Sequence, residues 1–494
     1  MPIINSKTGN IVKEYSLDEI AEKAKLMRAY SMVAITAAGS GHPGGTLSIM
    51  DLAAVLYFKT AKHDPENPDW LGRDRIFWSA GHKAPALYAS LGATGYFPID
   101  EMVKLRKLGS GFEGHPNKLK LPGVEISTGS LGHGLGIAVG SALNALQRKL
   151  DYRVFCIMGD GEHNEGSVWE AAMCAAHYKL DNLVAIVDLN KLQIDGPTDE
   201  VMCLGSLKAK YEAFGWEAIE INGHDLEEIV AAFEKAETVK GRPTAIIADT
   251  IKGKCVSYAE NVVGYHGVSP KDGICGCESL ETALEDIEYD MSSEEIDRLM
   301  KIASDYQDKV DEKIKTQLPK FSKNYWWNSA ENMKAQMDPT RMGFGRALEE
   351  VGADEEIVAH GADITSSIKM DQFNKNHPDR DDRFFSVGIA EQNMIQVACG
   401  FANENRIPFV GSYGVFVTGR AWDQIRTSAC YNQLNLKIAD AHAGITVGPD
   451  GATHQSLEEI ALMAYLPGMT VTVPCDSEQT YKMTKFLTYR PGPA

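Results

Sequence analysis

Residues 159–166 read Gly-Asp-Gly-Glu-His-Asn-Glu-Gly, and 28 residues lie between Gly161 and Asn190. Asp160 comes directly after an apolar run at 154–158, and Asn190 just after a second run at 183–188. A carboxylate, an asparagine carbonyl and the backbone carbonyl of Leu192 are hard oxygen donors of the kind that Mg²⁺ or Ca²⁺ takes, and such ions commonly bind phosphate oxygens as further ligands. Gly159 and Gly161 let the backbone come close to a diphosphate. A surface turn would account for Gly and Asp alone. Two oxygen donors placed after successive apolar runs point instead to a metal–diphosphate site.

The elements that must hold these donors can be read from patterning. Apolar runs alternate with helical patterns: a strand at 153–158, a helix at 168–178, a strand at 183–188, a helix at 209–214 and a strand at 244–249. That alternation predicts an α/β fold with a mostly parallel sheet flanked by helices. Open α/β sheets bind ligands at the carboxyl ends of their strands, which is where Asp160 and Asn190 fall. The 28 residues between them suffice for one crossover helix and one strand, so the two strands are expected to be neighbours. Ile296, Leu299, Ile302, Tyr306, Val310 and Ile314 recur at helical spacing in a charged segment, followed by a Pro-, Lys- and Asn-containing stretch at 318–328. A second α/β pattern begins near 340, with strands expected at 357–360, 384–387, 407–410, 436–439 and 469–473. The expected organisation is a first domain at 1–317 with its trailing helix, a linker at 318–339 and a second domain at 340–494.

With 494 residues, 44% apolar composition and a net charge of −19, the chain accommodates two or three domains. The acidity disfavours nucleic acid and anionic membranes, which are bound through clustered Lys and Arg. No apolar run approaches the ~18–20 residues of a membrane helix, and residues 1–15 lack a signal-like apolar segment. A cytoplasmic protein is expected. Nine cysteines scattered through predicted elements suit a reducing compartment. Cys275-Gly-Cys277 is too close and too isolated for a four-ligand zinc site.

The glycines of Gly129-Ser-Leu-Gly-His-Gly-Leu-Gly136 do not form a dinucleotide fingerprint, because the third glycine falls at 140 instead of 139 and no clear strand precedes them. They read either as a loop lying against a cofactor or as the start of a helix. The Gly159-Asp160-Gly161 motif with Asn190 is similar to the signature by which thiamine diphosphate enzymes hold their cofactor. That cofactor reacts through a carbanion at its thiazolium ring, formed with its own aminopyrimidine as base. A carboxyl group hydrogen-bonded to the pyrimidine promotes the tautomer required. Glu391, in Val387-Gly-Ile-Ala-Glu-Gln-Asn-Met394, is the candidate, with helix capping as the plainer role. Tyr413 and Phe416 follow the next expected strand and would stack on the pyrimidine, with core packing as the plainer role.

Taken together, the motifs resemble transketolase over both domains and nearly the whole chain. Ser40-Gly-His-Pro-Gly44, Ser79-Ala-Gly-His82, Gly114-His-Pro116, Gly129-Ser-Leu131, Gly159-Asp-Gly161 with Asn190, His266-Gly267, Ala362-Asp363, Gly388-Ile-Ala-Glu391 and Gly448-Pro-Asp-Gly-Ala-Thr-His454 occur in the family's order. The resemblance implies two thiamine diphosphate-binding-type domains and a transferase. It would move a two-carbon ketol unit reversibly between ketose and aldose phosphates, as in the pentose phosphate pathway. It also implies a homodimer with the cofactor held between the first domain of one subunit and the second of its partner. His42, His82, His115, His266 and His454 are then expected to line the substrate channel, with Asp450 reading a sugar hydroxyl. His42, His82, His266 and His454 join Glu391 as catalytic candidates. His82, Gly129, Ser130, Leu131, Glu165, His266 and Asp363 are expected around the cofactor, and Arg341, Ser367 and His442 around a donor phosphate. Val473 stands where many transketolases carry an arginine before Pro-x-Asp, which removes one bidentate phosphate contact. The family's third, C-terminal domain has no counterpart in these 494 residues, so truncation, cleavage or a separately encoded piece is expected. Two other readings are a thiamine enzyme like 1-deoxyxylulose-5-phosphate synthase, which would release CO₂ from pyruvate, and an inactive assembly partner. The intact motifs argue against the latter.

Overall fold

The computed structural model describes residues 3–317, 338–403 and 405–494. The expected linker at 318–339 lies outside them except for its last two residues. By its contacts the chain forms two compact units. The first comprises Met1–Ala303 with Gly388–Ala390 and Gly444–Ser456; the second comprises Ser304–Val387, Glu391–Ala443 and Leu457–Ala494.

The first unit is built on a sheet of β1 (Arg75–Trp78), β2 (Val154–Gly159), β3 (Leu183–Leu189), β4 (Glu217–Asn222) and β5 (Thr244–Asp249). Its order is β1-β2-β3-β5-β4 and every pair is parallel. Side chains on one face, among them Phe155, Ile157, Val184, Ile186 and Ile246, pack against the helix Leu17–Ala38 and its neighbours. Those on the other, among them Val154, Cys156, Met158, Leu183, Ala185, Val187 and Ile247, pack against the helices Gly134–Arg148 and Gly166–His177. Because both faces are covered, β2 and β3 are nearly continuous apolar runs instead of alternating ones. The helix Leu17–Ala38 begins at a Ser16/Glu19 capping box and ends at Gly39, whose φ of 64° is a left-handed cap.

β1 and β4 escape sequence patterning because they are the edges of the sheet. β1 has four residues, and β4 exposes Glu220 and Asn222, breaking the apolar signal. The charged trailing helix runs Ser293–Gln317 and buries Ile296, Leu299 and Ala303.

The second unit has a four-stranded parallel sheet of β6 (Ile357–Gly361), β7 (Phe384–Ser386), β8 (Ile407–Tyr413) and β9 (Lys437–Ala441), in the order β7-β6-β8-β9. Phe344, Leu348 and Val351 of the helix Thr340–Val351 cover Ile357, Ala359 and Phe409. The strand expected at 469–473 does not form. The position beside β9 is taken by Ala494, whose N–H donates to the Leu436 carbonyl and whose carbonyl accepts from Ile438. The Thr470 N–H reaches only the Pro493 carbonyl, so residues 469–473 stay outside the ladder. Among the described residues, no helix is long and apolar enough to cross a membrane.

Candidate active site

The register Gly159↔Asp188 between β2 and β3 brings Asp160 and Asn190 to adjacent strand ends on the carboxyl edge. Asp160 is 2% exposed. Its Oδ1 accepts the Gly161 N–H at 2.8 Å, and its Oδ2 accepts the Lys191 N–H at 2.7 Å and the Thr198 hydroxyl at 3.3 Å. Burial, reinforced by the nearby Asp188 carboxylate, pushes Asp160 up to about 6. Burial also opposes ionisation of Asp188, but Lys83, ion-paired with it, holds that carboxyl below its usual range. Ser48, Thr250 and the Asn190 amide donate to Asp188 as well. Asp188 thus has its cation, whereas Asp160 accepts only from neutral donors.

The Asn190 amide, with its nitrogen on Asp188 at 3.0 Å, keeps Oδ1 for the Leu192 N–H at 3.3 Å. The Leu192 carbonyl accepts from Lys252 Nζ at 2.8 Å. Asp160, Asn190 and Leu192 therefore offer three oxygens around a buried carboxylate that has no directly bonded cation among the described residues, Lys252 acting on it only from beyond the Leu192 carbonyl, and this donor set fits a hard divalent ion bound to a diphosphate.

The glycine loop starts a helix, one of its two expected roles. The helix Gly134–Arg148 starts from it, and the backbone of Thr128 and Gly129 lies 2.7 Å from where a Cβ on Gly81 would sit. The loop carrying Gly129, Ser130 and Leu131 is thereby laid on the turn that presents His82. Glu165 is buried at the N-terminus of the helix Gly166–His177, with its Cβ close against Gly132 of this loop.

His42, His82, His115 and His266 form one cluster. Ring centroids are 5.6 Å apart for His42 and His82, 5.8 Å for His42 and His115, 5.6 Å for His42 and His266, and 5.4 Å for His82 and His266. Burial pushes His42, His82 and His266 well below the usual imidazole range, helped by Arg106, Lys83 and Lys252 respectively. Burial takes His115 down to about 4. Lys252 Nζ lies 2.7 Å from His266 Nδ1, so that nitrogen is the acceptor and the proton sits on Nε2.

The segment 444–456 completes the cluster. His454 stacks on His115 at 4.3 Å, and the Asp450 carbonyl accepts from His115 Nδ1 at 2.7 Å. Arg106 Nη2 lies 3.2 Å from both Asp450 Oδ1 and His42 Nδ1.

In the second unit Glu391 opens the helix Glu391–Asn403, is 3% exposed and accepts from Arg420 Nη1 at 2.9 Å. The Arg420 guanidinium stands 5.1 Å from the Phe416 ring centroid, and Tyr413 lies 6.1 Å from Phe416. Tyr413 also meets His442 at 4.6 Å. His442 Nδ1 accepts from Arg341 Nη1 at 3.4 Å, and its Nε2 lies 3.0 Å from Ser367 Oγ. Asp363 is buried just beyond β6 with a φ of 62°. Val473 is 64% exposed.

Residues 20–340 match the model "Transketolase, thiamine diphosphate binding domain", and residues 337–494 match "Transketolase, pyrimidine binding domain". The chain belongs to the transketolase family. It is 37% identical to human transketolase over 487 residues, covering 97% of this chain and 74% of the human one. It is 43% identical over 250 residues to the 6-deoxy-6-sulfo-D-fructose transketolase subunit SqwG of a Clostridium species, covering 51% of this chain and 91% of that subunit. The crystal structure of transketolase from Campylobacter jejuni matches with a TM-score of 0.53 at 29% identity, covering 96% of this chain and 77% of that one. The chain thus carries the thiamine diphosphate-binding domains of the transketolase family on two parallel α/β sheets.

Several residues at these sites had no signal of their own in the sequence. Arg106 sits in an ordinary-looking basic stretch, and Lys83 and Lys252 are lysines whose burial only the fold reveals. Glu162 lies within the glycine motif itself; it accepts from the Ser79 hydroxyl, from Gly132 N–H at 2.8 Å and from Gly159 N–H at 3.2 Å, tying three loops together.

Proposed function

We propose that the protein is an active transketolase that moves a two-carbon ketol unit between a ketose and an aldose, with thiamine diphosphate and Mg²⁺ or Ca²⁺. The observation that carries this reading is the group of buried histidines, four of them with imidazoles held well below neutral pH, gathered on the unit that carries the Asp160–Asn190 edge. A neutral imidazole both donates and accepts a proton, which is what moving protons among sugar hydroxyls and carbonyls requires.

Asp160, Asn190 and the Leu192 carbonyl would hold the metal, and the loop at 129–131 with Gly159, Gly161 and Glu165 would lie along the diphosphate. Glu391 would hydrogen-bond the pyrimidine, with Tyr413 and Phe416 stacking on it and Asp363 supporting the same domain. Bound thiamine diphosphate supplies a nucleophilic carbon and a sink for negative charge. His42, His82, His266 and His454 relay protons at the sugar hydroxyls and carbonyl, with the His266 proton presented from Nε2. Asp450, braced by Arg106, orients a hydroxyl beside His115. Arg341, Ser367 and His442 bind the anionic end of the donor. One arginine with one imidazole is a modest charge complement for that end, and Val473 adds none, so a singly charged sulfonate joins phosphate as a candidate terminus.

The site is assembled in a cytoplasmic homodimer, the first domain of one subunit meeting the second of its partner. Turnover assayed on a panel of ketose and aldose phosphates, a 6-sulfo ketose and pyruvate, with and without thiamine diphosphate and Mg²⁺, tests the reading. Cofactor-dependent ketol transfer supports it. CO₂ release from pyruvate without ketol transfer would move the protein to the 1-deoxyxylulose-5-phosphate synthase type, and inactivity on the whole panel would leave the assembly-partner role.

A further inference from the structure

Glu391 is buried, and the cation on it comes from an unusual piece of backbone. Val415–Arg420 is a π-helical turn, directly after β8 and Gly414. Such turns are uncommon and re-aim side chains relative to an α-helix. This one places the Arg420 guanidinium over the Phe416 ring at 5.1 Å and its Nη1 on Glu391 Oε2 at 2.9 Å. The two side chains are 8% and 3% exposed, so the pair is shielded from solvent. Arg420 appeared in no motif of the sequence, and it meets the candidate site at Glu391 and Phe416.

We infer that Arg420 is a positioning residue for Glu391. Its Nη1–H donates to Oε2 and fixes the rotation of the carboxyl group, which leaves Oε1 as the oxygen directed to the pyrimidine nitrogen. The inference rests on the reading of Glu391 as the pyrimidine partner. Two physical consequences follow. A carboxylate held by one oxygen keeps a single orientation, whereas a free one samples several and meets the pyrimidine only part of the time. A buried carboxylate also needs a partner; removing the guanidinium leaves it uncompensated. Because Phe416 lies under the same guanidinium, loss of Arg420 also loosens one of the two rings expected to hold the pyrimidine.

The test is a double-mutant cycle on the full chain with Arg420→Met, Glu391→Gln and their combination, and with Arg420→Lys as the conservative variant. The first readout needs no cofactor. Arg420→Met lowers the melting temperature of the cofactor-free protein, Arg420→Lys lowers it less, and adding Glu391→Gln to Arg420→Met recovers most of the loss, because the uncompensated charge is gone. The second readout is proton exchange at the thiazolium carbon of bound thiamine diphosphate. It slows at least about tenfold in Arg420→Met, recovers in part in Arg420→Lys, and slows no further when Arg420→Met is added to Glu391→Gln. Calorimetric affinity for the cofactor changes little beside the exchange rate. Additive melting shifts and additive exchange losses would overturn the inference. If wild-type protein binds no thiamine diphosphate, the underlying functional reading fails, and the cofactor-free melting cycle still decides whether Arg420 and Glu391 act as a pair.

Discussion

His360 lies on β6 with its side chain fully buried, sandwiched by Phe385 at 5.5 Å and Phe401 at 5.0 Å between ring centroids. Neither ring nitrogen reaches a hydrogen-bond partner among the described residues. Burial pushes its imidazole down to about 4 from the ordinary 6.5, against a small upward pull from the Phe409 backbone. The unfolded chain therefore binds more protons than the folded one between pH 4 and 6.5, and stability falls as the pH drops through that window. The drop from 6.5 to about 4, at ~1.36 kcal/mol per pH unit, gives a full loss of ~3.4 kcal/mol below pH 4, of which ~2 kcal/mol is already lost at about pH 5. His360→Leu has nearly the same volume, satisfies the apolar surroundings and cannot take up a proton. Urea unfolding of wild type and variant at about pH 7 and about pH 5, following the transition of the second unit, isolates this group because every other titration is common to both proteins. The wild type should lose ~2 kcal/mol more than His360→Leu between the two pH values. Equal losses would mean that His360 already has an unseen partner or is not desolvated, and the reasoning from burial would be wrong.

Asp160→Ala and Asn190→Ala should each weaken thiamine diphosphate binding in the presence of Mg²⁺ by more than the ~10–100-fold that loss of a supporting group costs a metal site, which calorimetry measures directly; unchanged affinity in both would remove the metal assignment. Glu391→Ala should keep most of its cofactor affinity while proton exchange at the thiazolium carbon, read by NMR, slows about 10²–10⁴-fold. Mixing inactive Asp160→Ala with inactive Glu391→Ala under subunit exchange should restore about a quarter of wild-type turnover, since half the dimers are mixed and each has one intact site of two; no rescue, with exchange verified by mass spectrometry, would place the site within one chain. Ile246→Ala on the interior strand β5, where the side chain is fully buried, should cost ~2–5 kcal/mol in urea unfolding without changing cofactor affinity in the folded fraction.

How much of this was legible in the sequence depends on where each residue sits. β2, β3 and β5 are buried on both faces, so their apolar runs announce strands. β1 and β4 are edges whose residues answer to solvent on one side, and β4 reads as a mixed segment. The opposite error occurred at 469–473, where Met-Thr-Val-Thr-Val has strand chemistry and no ladder: a strand is a property of two segments, and Ala494 occupies the place beside β9. The same distinction holds at the sites. Asp160, Glu391 and the histidines of the first unit's cluster stand in or beside glycine-containing turns, and Asn190 is tied to Asp160 by its spacing. Arg106, Lys83, Lys252 and Arg420 are long cationic side chains on otherwise ordinary stretches, and only the tertiary fold turns them from solvated charges into buried ones.

Those buried cations stand out in an acidic chain. The net charge is −19, yet the surroundings of the histidine cluster in the first unit are Lys83, Lys252 and Arg106, and those of the ring group in the second are Arg341 and Arg420. Charges interact far more strongly in a buried site than across solvent, and Lys83, Arg106 and Arg420 are each matched there by a carboxylate, Asp188, Asp450 and Glu391 respectively. Burial, helped by Arg106, Lys83 and Lys252, suppresses protonation of His42, His82 and His266. Positive charge around the cluster is thereby carried by lysine and arginine, and the imidazoles are left neutral. Had the histidines supplied the positive charge themselves, they would have no lone pair with which to take a proton from a sugar hydroxyl.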